Sequence, residues 1–507
     1  MQDWADGYVV DVGYTHSYFR ELSPALLRFV ALLGGLDIPR PARHVYLELG
    51  CGNGLSTALH AAADPDGEYY GVDFNPTHIQ HARQLAQDAG VGNVKFLEKS
   101  FAELLAEQLP PADFVTLHGV WSWVGEEQRG HLLEVMRRML KPGGLVYLSY
   151  NAQPGLAQVA PLQRLLVEAA ELAAGERLDK AARARQFALQ LQKAGARYFA
   201  VNPLAAARLA GLEKLDPHYV VHEYFNANWR PDYHADVVQA LAPAKLAYAG
   251  SATLLDNFDQ FMLVPEAAKL VAGIPDRALA ETMKDFARNQ GFRRDVFTRG
   301  APKAAPPQLE AALGRSRFSL ARPRAACRLT ATTPAGEAKL DERAYAPVLE
   351  ALARAPQTFD ELARAPECAA LDRPHLRQAV FGMAAFGNIV PALAADGDDA
   401  RRARTARFND AVLRAPMPAR GDTFLASPVT GMGAALTLVD RLFLAGPRDE
   451  AQAVAQASAW IGAHGVRIQK SGQPLESPAE VDTHLRERAR QFFAETLPYL
   501  RLLKIAG

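Results

Sequence analysis

The stretch LELGCGNG, residues 47–54, sets Glu48 two residues ahead of a G-x-G-x-G run made by Gly50, Gly52 and Gly54 around Cys51 and Asn53. Glycines at such a bend let the backbone turn tightly and approach a ligand without Cβ contacts. A helix that starts there adds free N–H groups. A dinucleotide fingerprint would read G-x-G-x-x-G and seat a pyrophosphate on the helix end. The spacing differs here, and a carboxylate beside the turn repels a pyrophosphate while attracting the amino group of an amino-acid-bearing nucleoside. Asp73, near "GVDFN", is placed to accept both hydroxyls of a ribose, with Phe74 and Asn75 following it. That role suits NAD as well, so Asp73 does not discriminate between the two.

A second group of chemically capable residues lies further along. In "ADFVTLHGVWSWV" (112–124) His118 and Gly119 follow an apolar run, and Trp121 and Trp123, two of only five tryptophans, stand one residue apart. Tyr150 and Asn151 follow "GLVYLS" in the same manner, and "HEYF" brings His222 and Glu223.

These residues need a frame. "HVYLEL" (44–49), "EYYGVD" (68–73), "NVKFLE", "ADFVTL" and "GLVYLSY" read as five strands. The helical stretches between them include "PTHIQHARQLAQDAG", with proline near its start and glycine at its end. Alternation of this kind implies right-handed crossovers and a parallel α/β sheet covered on both faces. In open parallel sheets ligands bind beyond the carboxyl ends of the strands, where the glycine bend, His118, the tryptophans, Tyr150 and Asn151 all fall. The tryptophans are therefore expected to wall the cleft; packing of one of them beneath a helical insertion is the competing reading.

Taken together, LELGCGNG, Asp73, the "LKPGG" turn and the five strands resemble the class I S-adenosylmethionine-dependent methyltransferases, with a Rossmann-like sheet. The resemblance implies S-adenosyl-L-methionine as cofactor, with Glu48 and the glycine turn at its methionine portion and Asp73 at the ribose. Ser100 and Phe101 would flank the adenine, and His118 and Gly119 would lie near the sulfonium. "GYTHSYFREL", "HGVWSWV", "SYNAQPG" and "HYVVHEYFNANWRPDYHADVVQALAPAKLAYAG" narrow the likeness to bacterial methyltransferases with a methyltransferase regulatory domain. That family includes rickettsial lysine methyltransferases that modify an outer-membrane protein. Ser23 is suited to cap a helix with Pro24 at its first position, and the resemblance implies that the segment before it, holding Tyr14 and Tyr18, folds across the cofactor mouth. A lysine acceptor must lose a proton from a group of free pKa about 10.4. A dry aromatic pocket lowers that value, and His118, Tyr150, His222 or Glu223 would take the proton.

The expected organisation is a cofactor-binding core (1–154), a helical insertion or lid (155–215), and completion of the sheet with the regulatory region (216–300). A final strand is expected at "QFMLV" (260–264). An Ala/Pro-rich linker (301–340), a winged-helix-like module (341–396) and a C-terminal α+β domain (397–507) follow. Lys+Arg and Asp+Glu both number 56, so no global basic field is available for nucleic acid or an anionic membrane. The third helix of the module carries Arg373, His375 and Arg377, with "RRARTAR" beyond it, but acidic residues intervene. Nucleic acid is therefore not the expected partner; a protein substrate is, with a homodimer as an option. The three cysteines show no metal or redox spacing, no metal site is expected, and no apolar run approaches the roughly 20 residues of a membrane span. A cytoplasmic enzyme is expected. The alternatives are a small-molecule or surface-glycan methyltransferase and a non-catalytic cofactor-binding adaptor.

Overall fold

The computed structural model describes residues 17–416, 421–470 and 472–506. At its centre is a seven-stranded sheet in the order β3-β2-β1-β4-β5-β7-β6. The strands are β1 (His44–Leu49), β2 (Gly67–Asp73), β3 (Val94–Glu98), β4 (Ala112–Leu117), β5 (Leu140–Asn151), β6 (Leu246–Ser251) and β7 (Phe292–Arg299). The first five are parallel, and β7 runs antiparallel to both β5 and β6. Strand side chains alternate between faces. Leu47, Leu49, Val115, Leu117, Val146 and Leu148 enter one core, while Tyr46, Tyr69, Phe114 and Tyr147 enter the other. Burial on both faces explains why these strands read as continuous apolar runs.

Helix α1 (Pro24–Leu33) packs on β6 and β7, and α2 (Leu55–Ala63), α3 (Pro76–Asp88), α4 (Phe101–Leu104) and α5 (Glu126–Met139) flank the parallel part. Asn75 Oδ1 caps α3 by accepting from the Thr77 N–H at 2.9 Å, and Ser100 with Glu103 closes a capping box on α4. Ser23 precedes α1, but its side chain makes no capping bond, contrary to expectation. Helices α6 (Ala160–Glu171), α7 (Arg177–Lys193), α8 (Arg197–Val201), α9 (Pro203–Gly211) and α10 (Pro217–Tyr224) share a small core of Leu162, Leu166, Phe199, Leu209 and Tyr224. Helix α11 (His234–Leu241) then leads into β6.

"QFMLV" is not a strand: Asp259–Met262 forms the short helix α12, followed by α13 (Pro265–Ala272) and α14 (Arg277–Arg288). The last strand is β7, whose "FRRDVFTR" looks too charged for a sheet interior. It is tolerated because its ions are paired. Arg293 is 2% exposed. Its guanidinium reaches Asp295 at 2.9 Å, Asp285 at 2.6 Å and Glu281 at 3.1 Å. The Tyr150 hydroxyl donates to Asp295 at 2.7 Å, and His234 Nδ1 lies 3.0 Å from the same carboxylate. This cluster turns α14 inside out: Glu281, Asp285 and Arg288 are buried, whereas Leu279 and Phe286 are exposed.

Residues 301–340, expected as a linker, hold a helix (Pro306–Arg315), a strand (Arg317–Leu320) and a hairpin (Thr330–Thr333 with Gly336–Lys339). Phe318 and Leu320 are buried there, which a free linker would not allow. The strand is the centre of a three-stranded sheet, between Gln357–Thr358 and Ile389–Ala392. The module expected at 341–396 thus takes its central strand from outside that range. Its arginines are internally matched: Arg373 pairs with Glu310 and Asp360, and Arg377 with Glu310. The helix Asp398–Arg414 packs on α2 and α3, where Arg401 is buried against Asp398 and Arg404 donates to Asn93. Arg401 is thus spent inside the C-terminal region, and Arg404 on joining that region to the core. Among the described residues no helix is long and apolar enough to cross a membrane.

Candidate active site

A cavity of about 720 Å³ opens at the carboxyl ends of β1, β2, β4 and β5. Its floor is the glycine bend, which leaves β1 and enters α2. Gly50, Gly52 and Gly54 all have positive φ (73°, 53° and 72°). Two different causes require glycine. A Cβ on Gly50 would meet Val120 Cγ2 at 2.5 Å, and one on Gly54 would meet Ala82 and Phe96 at 2.6 Å. At Gly52 and Gly119 nothing lies within 4 Å of a Cβ position, so the bend and the turn after β4 face open space at backbone level. A nucleoside carrying an amino acid fits such a cradle, because the backbone can be approached where no side chain stands.

Asp73 closes β2 and is fixed by the chain around it. Its Oδ2 accepts from the Gly52 N–H at 2.9 Å and its Oδ1 from the Asn75 N–H at 2.9 Å, with His78 Nδ1 at 3.3 Å. Phe74, Ser100 and Phe101 line the cavity beyond it. Asn75 is absent from the lining, being occupied as the α3 cap. Glu48 lines the cavity and accepts on Oε2 from Thr57 (2.5 Å) and Tyr46 (3.3 Å). Burial raises its carboxyl to about 7; the two hydrogen bonds pull the other way, and the Asp73 charge adds to the rise. Burial likewise pushes the Cys51 thiol well above its ordinary range, with Asp73 and Glu48 adding to it, so it is a wall and not a nucleophile.

The aromatic residues divide. Trp123 lines the cavity and lies beside Trp229, with ring centroids 6.2 Å apart. Trp121 does not: its Nε1 donates to Asp232 at 3.2 Å and its ring lies under the Arg129 guanidinium at 4.8 Å. His118 lines the cavity, stacks on Phe19 at 3.7 Å and is hydrogen-bonded through Nδ1 to the Tyr147 hydroxyl at 2.8 Å. Burial, with the nearby Arg294 charge, pushes its imidazole down to about 3. It is neutral across the physiological range.

Several expected residues belong elsewhere. Of the expected pair Tyr150 and Asn151, Tyr150 is buried in the Arg293 cluster and Asn151 lines the cavity. His222 is buried and outside the lining, whereas Glu223 is in it. Tyr18 faces the core, hydrogen-bonded to His60 at 3.1 Å; Ser17 and Phe19 on either side of it line the cavity. Tyr14 lies outside the described residues. For Tyr150, His222 and Tyr18 a neighbouring residue turns to a different face.

The sequence reading missed Phe19, Lys99, Arg208, Tyr219, Phe292 and Arg294 among the lining residues. Tyr219 had a signal: it stands four residues before Glu223, on the same face of α10. Burial raises the Glu223 carboxyl to about 7, with Arg208 opposing the rise. Arg208 comes from α9, and nothing in its sequence context marks it.

Models of known families match two segments: the methyltransferase domain over residues 47–144, and the predicted methyltransferase regulatory domain over residues 216–299. The uncharacterized protein sll1526 of Synechocystis sp. is 36% identical over 99% of this chain and 100% of its own length. The uncharacterized protein RP028 of Rickettsia prowazekii is 33% identical over 29% of this chain and 58% of its own. PKMT2 from Rickettsia typhi, solved in complex with AdoHcy, superposes with a TM-score of 0.69 at 19% identity, covering 97% of this chain and 99% of that one. At that identity the likeness is one of fold.

Proposed function

Because the chain belongs to the S-adenosylmethionine-dependent class I methyltransferases that carry a methyltransferase regulatory domain, we propose that it N-methylates lysine side chains of a protein substrate. Bound S-adenosylmethionine supplies an electrophilic methyl group on a sulfonium. The chain's task is to present a neutral amine in line with it, since close alignment carries much of the rate.

The observation behind the lysine reading is the pairing of one titratable acid with an aromatic wall. Glu223, on α10, lines the cavity with its carboxyl near 7. Trp123, Phe19 and Phe292 line it too. Such rings exclude water, lower an ammonium pKa by desolvation and tolerate positive charge through cation–π attraction of roughly 0.5–2 kcal/mol. Glu223 accepts the acceptor proton once it is ionised. His118 is neutral throughout and holds Phe19 by stacking, so it shapes the donor end of the cleft.

Labelled S-adenosylmethionine incubated with the protein and a cell lysate separates the readings. Label on lysine in protein bands is the expected result. Label confined to the low-mass fraction points to a small-molecule or glycan acceptor, and tight binding without transfer to an adaptor.

The pH profile is a sharper check. With Glu223 acting as a base, kcat/KM rises with pH through about 7, because the carboxyl is protonated below that value and ionised above it. Glu223→Gln is expected to remove that limb and to lower kcat/KM about tenfold or more at pH 8. An unchanged profile assigns the limb to another group. His118→Ala is expected to lower turnover about tenfold with little change in cofactor affinity and no change in the shape of the profile. Wild-type turnover would reduce His118 to a packing role.

A further inference from the structure

S-adenosylmethionine ends in an amino acid, so its site must meet a carboxylate as well as an ammonium and a sulfonium. Glu48 is at hand for the ammonium, with Asp73 at the ribose. The cations that line the cavity among the described residues, histidines apart, are Lys99, Arg208 and Arg294. Lys99 stands beside Ser100 and Phe101 and is paired with Glu107 at 3.0 Å. Arg208 is solvent-exposed on α9 and opposes the charge of Glu223.

Arg294 differs from both. It projects from β7, half-buried, on the side of the cavity occupied by His118, whose imidazole its charge helps to hold neutral. Its guanidinium carbon lies 5.0 Å from the Phe292 ring centroid, and Nη1 donates to Thr253 Oγ1 at 3.3 Å. Among the described residues it forms no salt bridge, and its buried Nε has no hydrogen-bond acceptor. A half-buried guanidinium that lacks a counter-ion is costly unless a ligand supplies the charge. Phe292 covers one face of the group, Thr253 engages Nη1 and Nε is buried, which leaves Nη2 as the N–H group open to an anion for a charge-assisted hydrogen bond.

We propose that Arg294 receives the α-carboxylate of S-adenosylmethionine, so that the regulatory segment contributes directly to cofactor binding. The inference rests on the site assignment above, in which the glycine bend and His118 meet the methionine portion.

Calorimetry with S-adenosylmethionine and with its decarboxylated form, which lacks only this carboxylate, tests it. Arg294→Gln is expected to raise the Kd for S-adenosylmethionine about 10–100-fold, the range for a hydrogen bond to a charged group. The Kd for the decarboxylated form is expected to change less than about twofold, in line with loss of a contact that ligand never makes. Arg294→Lys should recover part of the loss. An equal loss for both ligands overturns the proposal, as does unchanged S-adenosylmethionine affinity; in the latter case a raised acceptor KM assigns Arg294 to the acceptor. If Arg294→Gln does not fold, the wild type still decides, because equal affinity for the two ligands overturns the proposal. Wild-type protein that binds neither ligand refutes the cofactor assignment itself.

Discussion

Replacing Arg293 by alanine is expected to cost about 3–5 kcal/mol of stability at neutral pH, the range for breaking a buried ion pair on one side. In the native protein its guanidinium touches Asp295, Asp285 and Glu281, all buried. Without it three carboxylates face one another in a nearly dry site. The pH dependence follows. Burial by itself raises the Asp295 carboxyl, but Arg293 and His234 more than reverse this and hold it below the usual carboxylate range. Its contribution is therefore present above the unfolded pKa of about 3.9 and is lost as pH falls through the lower native value. In Arg293→Ala the acids lose that support, with Arg288 still beside Asp285 and Lys284 still beside Glu281. Burial then dominates at Asp295 and lifts it above the unfolded value, and Asp285, which burial already raises in the native protein, rises further. They then destabilise the fold at neutral pH and are relieved by protonation on acidification. The gap between wild type and variant should narrow from pH 7 to pH 5 in denaturant titrations. A loss below about 1 kcal/mol at pH 7, or a gap that widens on acidification, would refute the cluster's role. Because Phe292 and Arg294 flank Arg293, the variant should also bind cofactor less well.

Asp73→Ala is expected to weaken S-adenosylmethionine binding about 10²–10⁴-fold. Two hydrogen bonds between a carboxylate and ribose hydroxyls are worth roughly 1.5–3 kcal/mol each. Asp73 does a second job, since its two oxygens hold the Gly52 and Asn75 N–H groups and thereby the shape of the bend. Loss of both functions puts the effect toward the upper end. Asp73→Asn keeps one acceptor oxygen and should lose only about tenfold. Calorimetry with S-adenosylmethionine and AdoHcy measures both; affinity within twofold of wild type in Asp73→Ala removes the residue from the ribose site. Glu48→Gln is expected to be milder, because Glu48 is already near half-protonation at neutral pH and is held by Thr57 and Tyr46.

The residues that the sequence marked for chemistry lie in segments that line the cavity, but not every marked side chain faces it. Phe19 lines the cavity where Tyr18 was expected, and of two expected pairs Asn151 lines it without Tyr150 and Glu223 without His222. On an extended segment adjacent side chains point to opposite faces, and on a helix they diverge by about 100°. A motif therefore locates the segment, while the register that packing selects decides which neighbour faces the ligand. Trp121 and Trp123 illustrate this within a single turn.

The amino-acid sequence by itself determined the parallel strands, the glycine bend and the acid closing the second strand. These are local matters of apolar run length, backbone freedom and the residue at a strand end. What only the tertiary structure decided is the far side of the site. β7 is disguised by charges that make sense only once Asp285 and Glu281 arrive from α14, and Arg208 and Arg294 come from elements distant in the chain. A buried ion is legible as such only when its partners are known, and those partners are brought together by folding.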